Sequence, residues 1–430
     1  TGDVVSAGTW AEAPPTPVEN SLVWQDAISP CPPSLSCLQN AVTLVHVGPD
    51  RMDASPDFKG RMRGKIFYST RSKLIASFLG VTVIVGTVSL FIGSELLYKA
   101  VLNEATNRVR MDLNAAREIY NSRIKQIHVS LSVMTLGFGF QSTLQQRDSA
   151  HLVNYLERLA QNAELDFAGI VTADGKTLCR MGPNSQQGQA DPSTIPIASL
   201  ALARQVAVSG TIVLGSDILF EEDPRLADRA TIKLIWTPRA IPRAEKEERS
   251  GMALAAAVPV ISDGKLLGIL YGGVLLNRSQ TIVDTVRNTV FQQETYKGRS
   301  IGTATIFLKD LRISTNVLNP DGQRAIGTLI SKEVKERVLD QGHRWTGRAF
   351  VVSDWYITAY EPIEDIHGKR VGMLYVGVLE EKYGDIQKNV LSIFILLTAL
   401  GMLLAIGLGY VLADKIMRPV HGLIEASRQV

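Results

Sequence analysis

The chain has 430 residues, enough for two or three domains, with 45 Lys and Arg against 42 Asp and Glu for a net charge of +3. So even a balance excludes a dedicated nucleic-acid binder, and three cysteines exclude a disulfide scaffold. The mean hydropathy of +0.08 is high for a water-soluble chain, which requires that apolar residues be segregated into particular segments.

Residues 1–57 carry seven acids, one basic residue and 8 of the 18 prolines, without helical or strand periodicity. They read as a disordered or non-native leader. Cys31 and Cys37 fall there with no histidine at metal-ligand spacing. Residues 58–73 follow with six basic residues and no acid. Residues 74–94 then run 21 positions without a charge, and residues 390–413 run 24. At the helical rise these stretches are roughly 31 and 36 Å long, against a bilayer core of about 30 Å. Both are expected to span a lipid bilayer. The basic segment beside the first span is expected to hold that end in the cytoplasm, and the second span returns the chain to the same side. The residues between the spans, 95–389, are then external.

After the first span, Val109, Leu113, Ala116, Tyr120, Ile124, Ile127, Leu131 and Met134 recur at steps of three and four, with charges on the other faces. The spacing predicts a long external helix over 95–148. Its stripe can pack on its own domain, form part of a dimer seam, or do both along different lengths. Strand patterns follow as hairpins: 167–171 with 176–180 around Asp174-Gly175, and 253–261 with 266–276 around Asp263-Gly264. Further strands are expected at 303–308, 312–317, 350–352, 356–362 and 370–379, with a helical patch at 330–339. This is an α+β pattern with antiparallel sheets.

One segment repeats. Residues 264–275 (GKLLGILYGGVL) match 368–379 (GKRVGMLYVGVL) at eight of twelve positions, at a constant offset of 104. Two tandem modules of one fold are expected, a membrane-distal one over 149–280 and a membrane-proximal one over 281–389. Gly268, Gly273, Gly372 and Gly377 in these strands are expected to admit close neighbours. The last strand leads through 380–389 directly into the second span.

Arginines beside aromatics suit carboxylate recognition, because the planar fork binds bidentately and stacks. The candidate ligand residues are Trp236, Arg239, Arg243 and Tyr271 in the first module, and Arg344, Trp345, Arg348, Tyr356 and Tyr360 in the second. A small organic acid is the preferred ligand on that chemistry. The alternative is that the arginines are surface charges and that Trp345 and Tyr360 are core aromatics.

The succession of span, long helix, two modules and second span resembles bacterial transmembrane receptors with a double Cache sensor, a tandem pair of PAS-like domains, over about residues 65–430. Trp355-Tyr356-Ile357-Thr358-Ala359-Tyr360-Glu361-Pro362-Ile363 through Gly372-Met373-Leu374-Tyr375-Val376-Gly377 looks like the final strands of a Cache module. Lys415-Ile416-Met417-Arg418-Pro419-Val420, with Leu423 and Ile424 following, looks like the start of a HAMP linker over 414–430. The resemblance implies a homodimeric receptor of the bacterial inner membrane, without a cofactor, that senses a small external molecule and signals to cytoplasmic partners. Its output domain would lie beyond Val430: a histidine kinase first, with a methyl-accepting chemoreceptor or a cyclic-dinucleotide enzyme as alternatives. The spaced Tyr, Arg, Trp and Asp set by which such receptors bind amino acids cannot be placed here, so an amino-acid ligand is not expected.

Rival classes fare worse. The chain lacks His-Glu-x-x-His, a P-loop, Gly-x-Gly-x-x-Gly and Gly-x-Ser-x-Gly, and its six histidines lie without ligand spacing. No enzyme and no metal site is expected within these residues. Two spans free of charge give a transporter no polar pathway. A membrane-anchored binding or scaffold module is the remaining alternative.

Overall fold

The computed structural model describes residues 70–183, 195–237 and 239–428. The expected leader over 1–57, and residues 58–69 of the basic segment, lie outside these. The first span and the amphipathic stretch after it form one continuous helix, α1 (Thr70–Thr135). It ends short of the expected 148. Gly137 takes an extended backbone and starts α2 (Phe138–Gln145), and Arg147, at a left-handed φ of 55°, separates α2 from α3 (Ser149–Ala163). The expected single helix over 95–148 is therefore two, and α3 follows it. The sequence Leu136-Gly137-Phe138-Gly139 places two poor helix formers at the break, and Asp148 then caps α3 by accepting from the His151 backbone N–H.

The first sheet contains β1 (Phe167–Thr172) and β2 (Thr177–Arg180). Helix α4 (Pro196–Arg204), strand β3 (Val208–Leu214), α5 (Ser216–Glu222) and α6 (Pro224–Ala230) follow. A short pair, β4 (Ile232–Lys233) with β5 (Glu247–Glu248), precedes the long hairpin β6 (Gly251–Ser262) and β7 (Lys265–Leu275). After α7 (Thr281–Thr289) and the pair β8 (Thr295–Tyr296) and β9 (Arg299–Ser300), the second sheet starts with β10 (Gly302–Leu308) and β11 (Leu311–Thr315). Helix α8 (Lys332–Val334) runs into a π-helical turn, Lys335–Asp340, before β12 (Trp345–Val351), β13 (Asp354–Glu364) and β14 (Arg370–Leu379).

The two sheets have one topology. Their orders, β2-β1-β7-β6-β3 and β11-β10-β14-β13-β12, are the same permutation of five antiparallel strands. The sequence repeat is the physical trace of this: Tyr271 and Tyr375 lie at matching places on the central strands, opposite Gly169 and Thr305. The expected hairpins are all present. Strands β3 and most of the helices covering the first sheet carried too little periodicity to be anticipated.

Both faces of each sheet are buried, as the two-residue alternation of a strand requires. Met252, Leu254 and Ala256 of β6 face α1, whereas Ala253, Ala255 and Ala257 face the covering helices. In β14, Leu374, Val376 and Val378 face α1, whereas Met373 and Tyr375 face outward into a third cluster. Helix α1 is thus a shared spine. Its Val109, Leu113, Ala116, Tyr120, Ile127 and Leu131 are buried, with Leu102, Ile124 and Met134 partly covered by the same core. The chain's own sheets cover most of the stripe.

Helix α9 (Glu380–Arg428) begins at the residue after β14 and continues through Pro419. It packs along α1 where both are apolar. Among the described residues, these are two helices long and apolar enough to cross a membrane.

Candidate functional site

The expected arginine clamps do not form. Arg243 lies 3.4 Å from Glu248 and 3.1 Å from Asp310, pinning the loop before β5 to the turn between β10 and β11. Arg344 lies 3.3 Å from Glu361, whose two oxygens also accept from Arg117 of α1 at 2.8 and 2.9 Å. Arg348 holds Glu380 through two contacts of 2.9 Å. Each of these guanidinium groups lies beside a carboxylate of the chain itself. Trp236 is 60% exposed. Arg239 and Arg348, placed by sequence in different modules, meet on one ring: their guanidinium carbons lie 5.5 and 5.0 Å from the centroid of Trp355. Trp355 was not among the expected residues.

The expected aromatics behave differently. Tyr271 is fully buried on the outer face of the first sheet, where its hydroxyl donates to Glu222 at 2.9 Å. Glu222 lies 2.9 Å from Arg180 of β2, and Arg180 is 3% exposed. Burial pushes the Glu222 carboxyl up to about 7, against the pull of Arg180 and of the Tyr271 hydroxyl. This module therefore buries an arginine together with its own acid. Cys179, beside Arg180, is buried, and burial pushes its thiol up to about 12, so it is no nucleophile.

In the second module, Trp345, Tyr356 and Tyr360 come together on the outer face of the sheet with Phe307 and Tyr375. The Tyr360 and Tyr375 rings are 4.8 Å apart, and Phe307 stands edge-on to Tyr375 at 6.5 Å. Among them is Arg312 of β11, 5% exposed, its guanidinium carbon 5.3 Å from the Phe307 centroid. Its Nη1 donates to Thr328 Oγ1 at 2.9 Å, and its Nε, itself buried, has no partner. Burial pulls its pKa down, and the hydroxyls of Tyr375, Tyr360 and Tyr356 oppose that pull. Burial raises the Tyr356 hydroxyl to about 12 and lifts those of Tyr360 and Tyr375 as well, so none of the three is a counter-ion.

Sequence reasoning missed Arg312 and Tyr375. The repeat offset points straight from Tyr271 to Tyr375. Arg312 is the one charge in Leu311–Thr315, a strand buried at every position.

Where β14 passes into α9, an ionic cluster surrounds the helix start. Besides Arg348 on Glu380, Lys297 reaches Glu381 at 2.8 Å and Asp385 at 2.6 Å. Tyr296 donates to Asp385 at 2.8 Å, and Arg299 pairs with both Asp354 and Glu381. The hydrogen bonds from Lys297 and Tyr296 hold the Asp385 carboxyl down at about 2. Among the described residues, no three His, Cys, Asp or Glu side chains converge to hold a metal ion.

Residues 274–390, the second module with the start of α9, match the family model described as Single cache domain 3. No curated protein matches the sequence. Solved structures similar to the chain include the periplasmic domain of Vibrio cholerae LuxQ, 13% identical over 63% of this chain and 98% of that one, at a TM-score of 0.37. The sensor domain of the V. cholerae histidine kinase DctB is 12% identical over 66% and 98%, at 0.36. The sensory domain of the Campylobacter jejuni chemoreceptor Tlp3, with isoleucine bound, is 8% identical over 68% and 97%, at 0.35.

Proposed function

We propose that the chain is a two-pass membrane receptor whose external modules bind a small molecule and report it through α9 to a cytoplasmic output domain. The observation that carries this reading is continuity. Strand β14 is central in the Cache-matched sheet, and Glu380 begins α9 with no linker after Leu379. A change in the packing of that sheet is therefore a change in the position of α9. The ionic cluster at Glu380, Glu381 and Asp385 makes the junction stiff, because it ties the first turns of α9 to β12 and to the β8–β9 turn. A ligand biases the arrangement only to the extent that it binds one state more tightly than the other.

The basic segment at 58–73 supports a cytoplasmic N-terminal side, and the motif around Pro419 supports a HAMP linker following the second span. A histidine kinase is the preferred output, ahead of a chemoreceptor. A homodimer belongs to this reading. The test is thermal unfolding of the full chain in detergent micelles against a panel of small metabolites. At least one compound is expected to raise the melting temperature by about 3 °C at 100 times its Kd. A chain that none of them stabilises is a scaffold or adhesion module instead.

A further inference from the structure

Besides packing on α1, the two modules meet along two fronts. On one, the loop before β5 reaches the β10–β11 end of the second sheet: Ile235 donates its backbone N–H to the Gly327 carbonyl at 2.7 Å, and Arg243 meets Asp310. On the other, the turn between β13 and β14 reaches β3, the edge strand of the first sheet. The Ile366 backbone N–H donates to the Thr211 carbonyl at 3.1 Å, and Asp365 forms a parallel bridge with Thr211. Among the described hydrophobic residues of the second module, Ile366 is the one whose side chain packs against the first module's outer core. Thr211 is 3% exposed, and its hydroxyl shares a 2.7 Å hydrogen bond with Tyr120 of α1, which anchors the receiving edge.

The turn is built to hold its shape. The Asp365 carboxylate accepts from the backbone N–H groups of His367 and Lys369 at 2.9 Å each, and Gly368 supplies a left-handed φ of 77°. The repeat also departs from itself here. At the offset of 104 residues Ile366 stands where the first module has Ser262, so the apolar residue is present in the copy whose turn meets another module. The turn has room to move, because a crevice of about 450 Å³ lies alongside, lined in part by Asn121, Gly210, Glu364, Asp365 and Ile366.

We propose that the β13–β14 turn is a latch: the packing of the first module's outer core sets where Ile366 sits, and Ile366 sets the position of β14 and so of α9. The other front ends at β11, an edge strand, whereas the latch ends on two interior strands, the second of which continues into α9. Coupling of this kind is reciprocal, so α9 equally biases the first module. The proposal rests on the sensor reading above and adds the route from the first module to the second span.

The experiment is amide hydrogen exchange, read by mass spectrometry on the full chain in detergent micelles with no compound added. Ile366→Ser gives the turn the residue of the first module's copy and opens the latch. It is expected to speed exchange about threefold or more in β3, where the contact is lost, and also over 380–389 at the start of α9. Gly210→Cys/Ile366→Cys closes the latch: a Cβ on Gly210 would lie 3.0 Å from Ile366 Cγ2, within reach of a disulfide. With Cys31, Cys37 and Cys179 replaced by Ser, the oxidised pair is expected to slow exchange over 380–389 about twofold or more against its own reduced form. An effect of Ile366→Ser confined to β3 would reduce the contact to a docking point and overturn the proposal. So would a pair that oxidises and leaves 380–389 unchanged, or one that stays reduced in the folded chain. Should Ile366→Ser not fold, the oxidised and reduced forms decide alone. Because nothing is added, failure here leaves the sensor reading to its own thermal-shift test, and a chain that no compound stabilises still shows or lacks the latch.

Discussion

Arg348, on edge strand β12, and Glu380, the first residue of α9, face each other through two contacts of 2.9 Å. The pair links the sheet edge to the helix that leaves the sheet's centre, so a movement of β12 relative to β14 pulls on α9 at its first residue. Both side chains are partly exposed, and such pairs add at most about 1 kcal/mol to stability. Arg348→Gln is therefore expected to leave unfolding within ~1 kcal/mol of wild type, and to leave a compound's thermal shift intact. What it should weaken is the compound's effect on the packing of α9 against α1. A variant that loses stability and binding together would assign Arg348 to the core instead.

In the first module, Glu222→Ala removes the 2.9 Å contact and leaves buried Arg180 the longer contact to the half-exposed Glu221 at 3.3 Å. The expected cost is about 3 kcal/mol by denaturant unfolding. Replacing Arg180 and Glu222 together with Met should cost clearly less than the sum of the two single changes, because no charge is then left uncompensated. Additive losses would show that the pair is not coupled.

The repeat glycines are held by neighbours. A Cβ on Gly273 would lie 2.6 Å from the Leu254 carbonyl oxygen, which is backbone and cannot swing aside. Gly273→Ala is expected to destabilise by about 1–3 kcal/mol. Gly384, in the first turns of α9, has nothing within 4 Å of a Cβ. There the same substitution should stabilise by roughly 0.5–1 kcal/mol. Opposite signs at the two sites are the expected outcome of unfolding measurements on the purified chain.

Asp112 lies on α1 outside the apolar stretch, mostly buried, with Oδ2 unpartnered. Burial pushes its carboxyl from 3.8 up to about 6, with Arg108 pulling the other way. Folding therefore favours the protonated form: this group helps the fold below about pH 4, and its contribution is lost as the pH rises towards 6. Asp112→Asn should match wild type below pH 4 and be more stable above pH 6, by about 1 kcal/mol once its partial exposure is taken into account. A constant difference at all pH values would contradict this.

Much of the architecture was legible in the sequence because it rests on periodicity and repetition. The charge-free stretches announced α1 and α9, alternation announced the hairpins, and the 104-residue offset announced two copies of one sheet. The limit came where long-range packing decides. Nothing local to Val109–Leu131 says that its apolar stripe is covered by two sheets of the same chain, since a dimer seam has the same spacing. The arginines at 243, 344 and 348 stand near aromatics in the sequence, but a side chain's neighbours in sequence do not reveal its ion-pair partner. Arg348 is paired 32 residues away, and Arg243 is paired 67 residues away. Arg312 was passed over for the opposite reason: its strand reads as core, and only the fold shows that no acid comes with it.

In the proposed receptor, a ligand bound outside is felt between α1 and α9 where both are apolar. A Cβ on Gly86 would sit 3.0 Å from the Thr398 methyl, close enough for a disulfide between cysteines at those positions. The measurement is the rate of disulfide formation in Gly86→Cys/Thr398→Cys, with Cys31, Cys37 and Cys179 replaced by Ser, in lipid nanodiscs. It is made with and without a saturating compound that raises the melting temperature. At least a twofold change in rate is expected with the compound, and a smaller one in Arg348→Gln, where continuity with β14 and the Lys297 and Arg299 contacts remain. An identical rate with the compound demonstrably bound would contradict it.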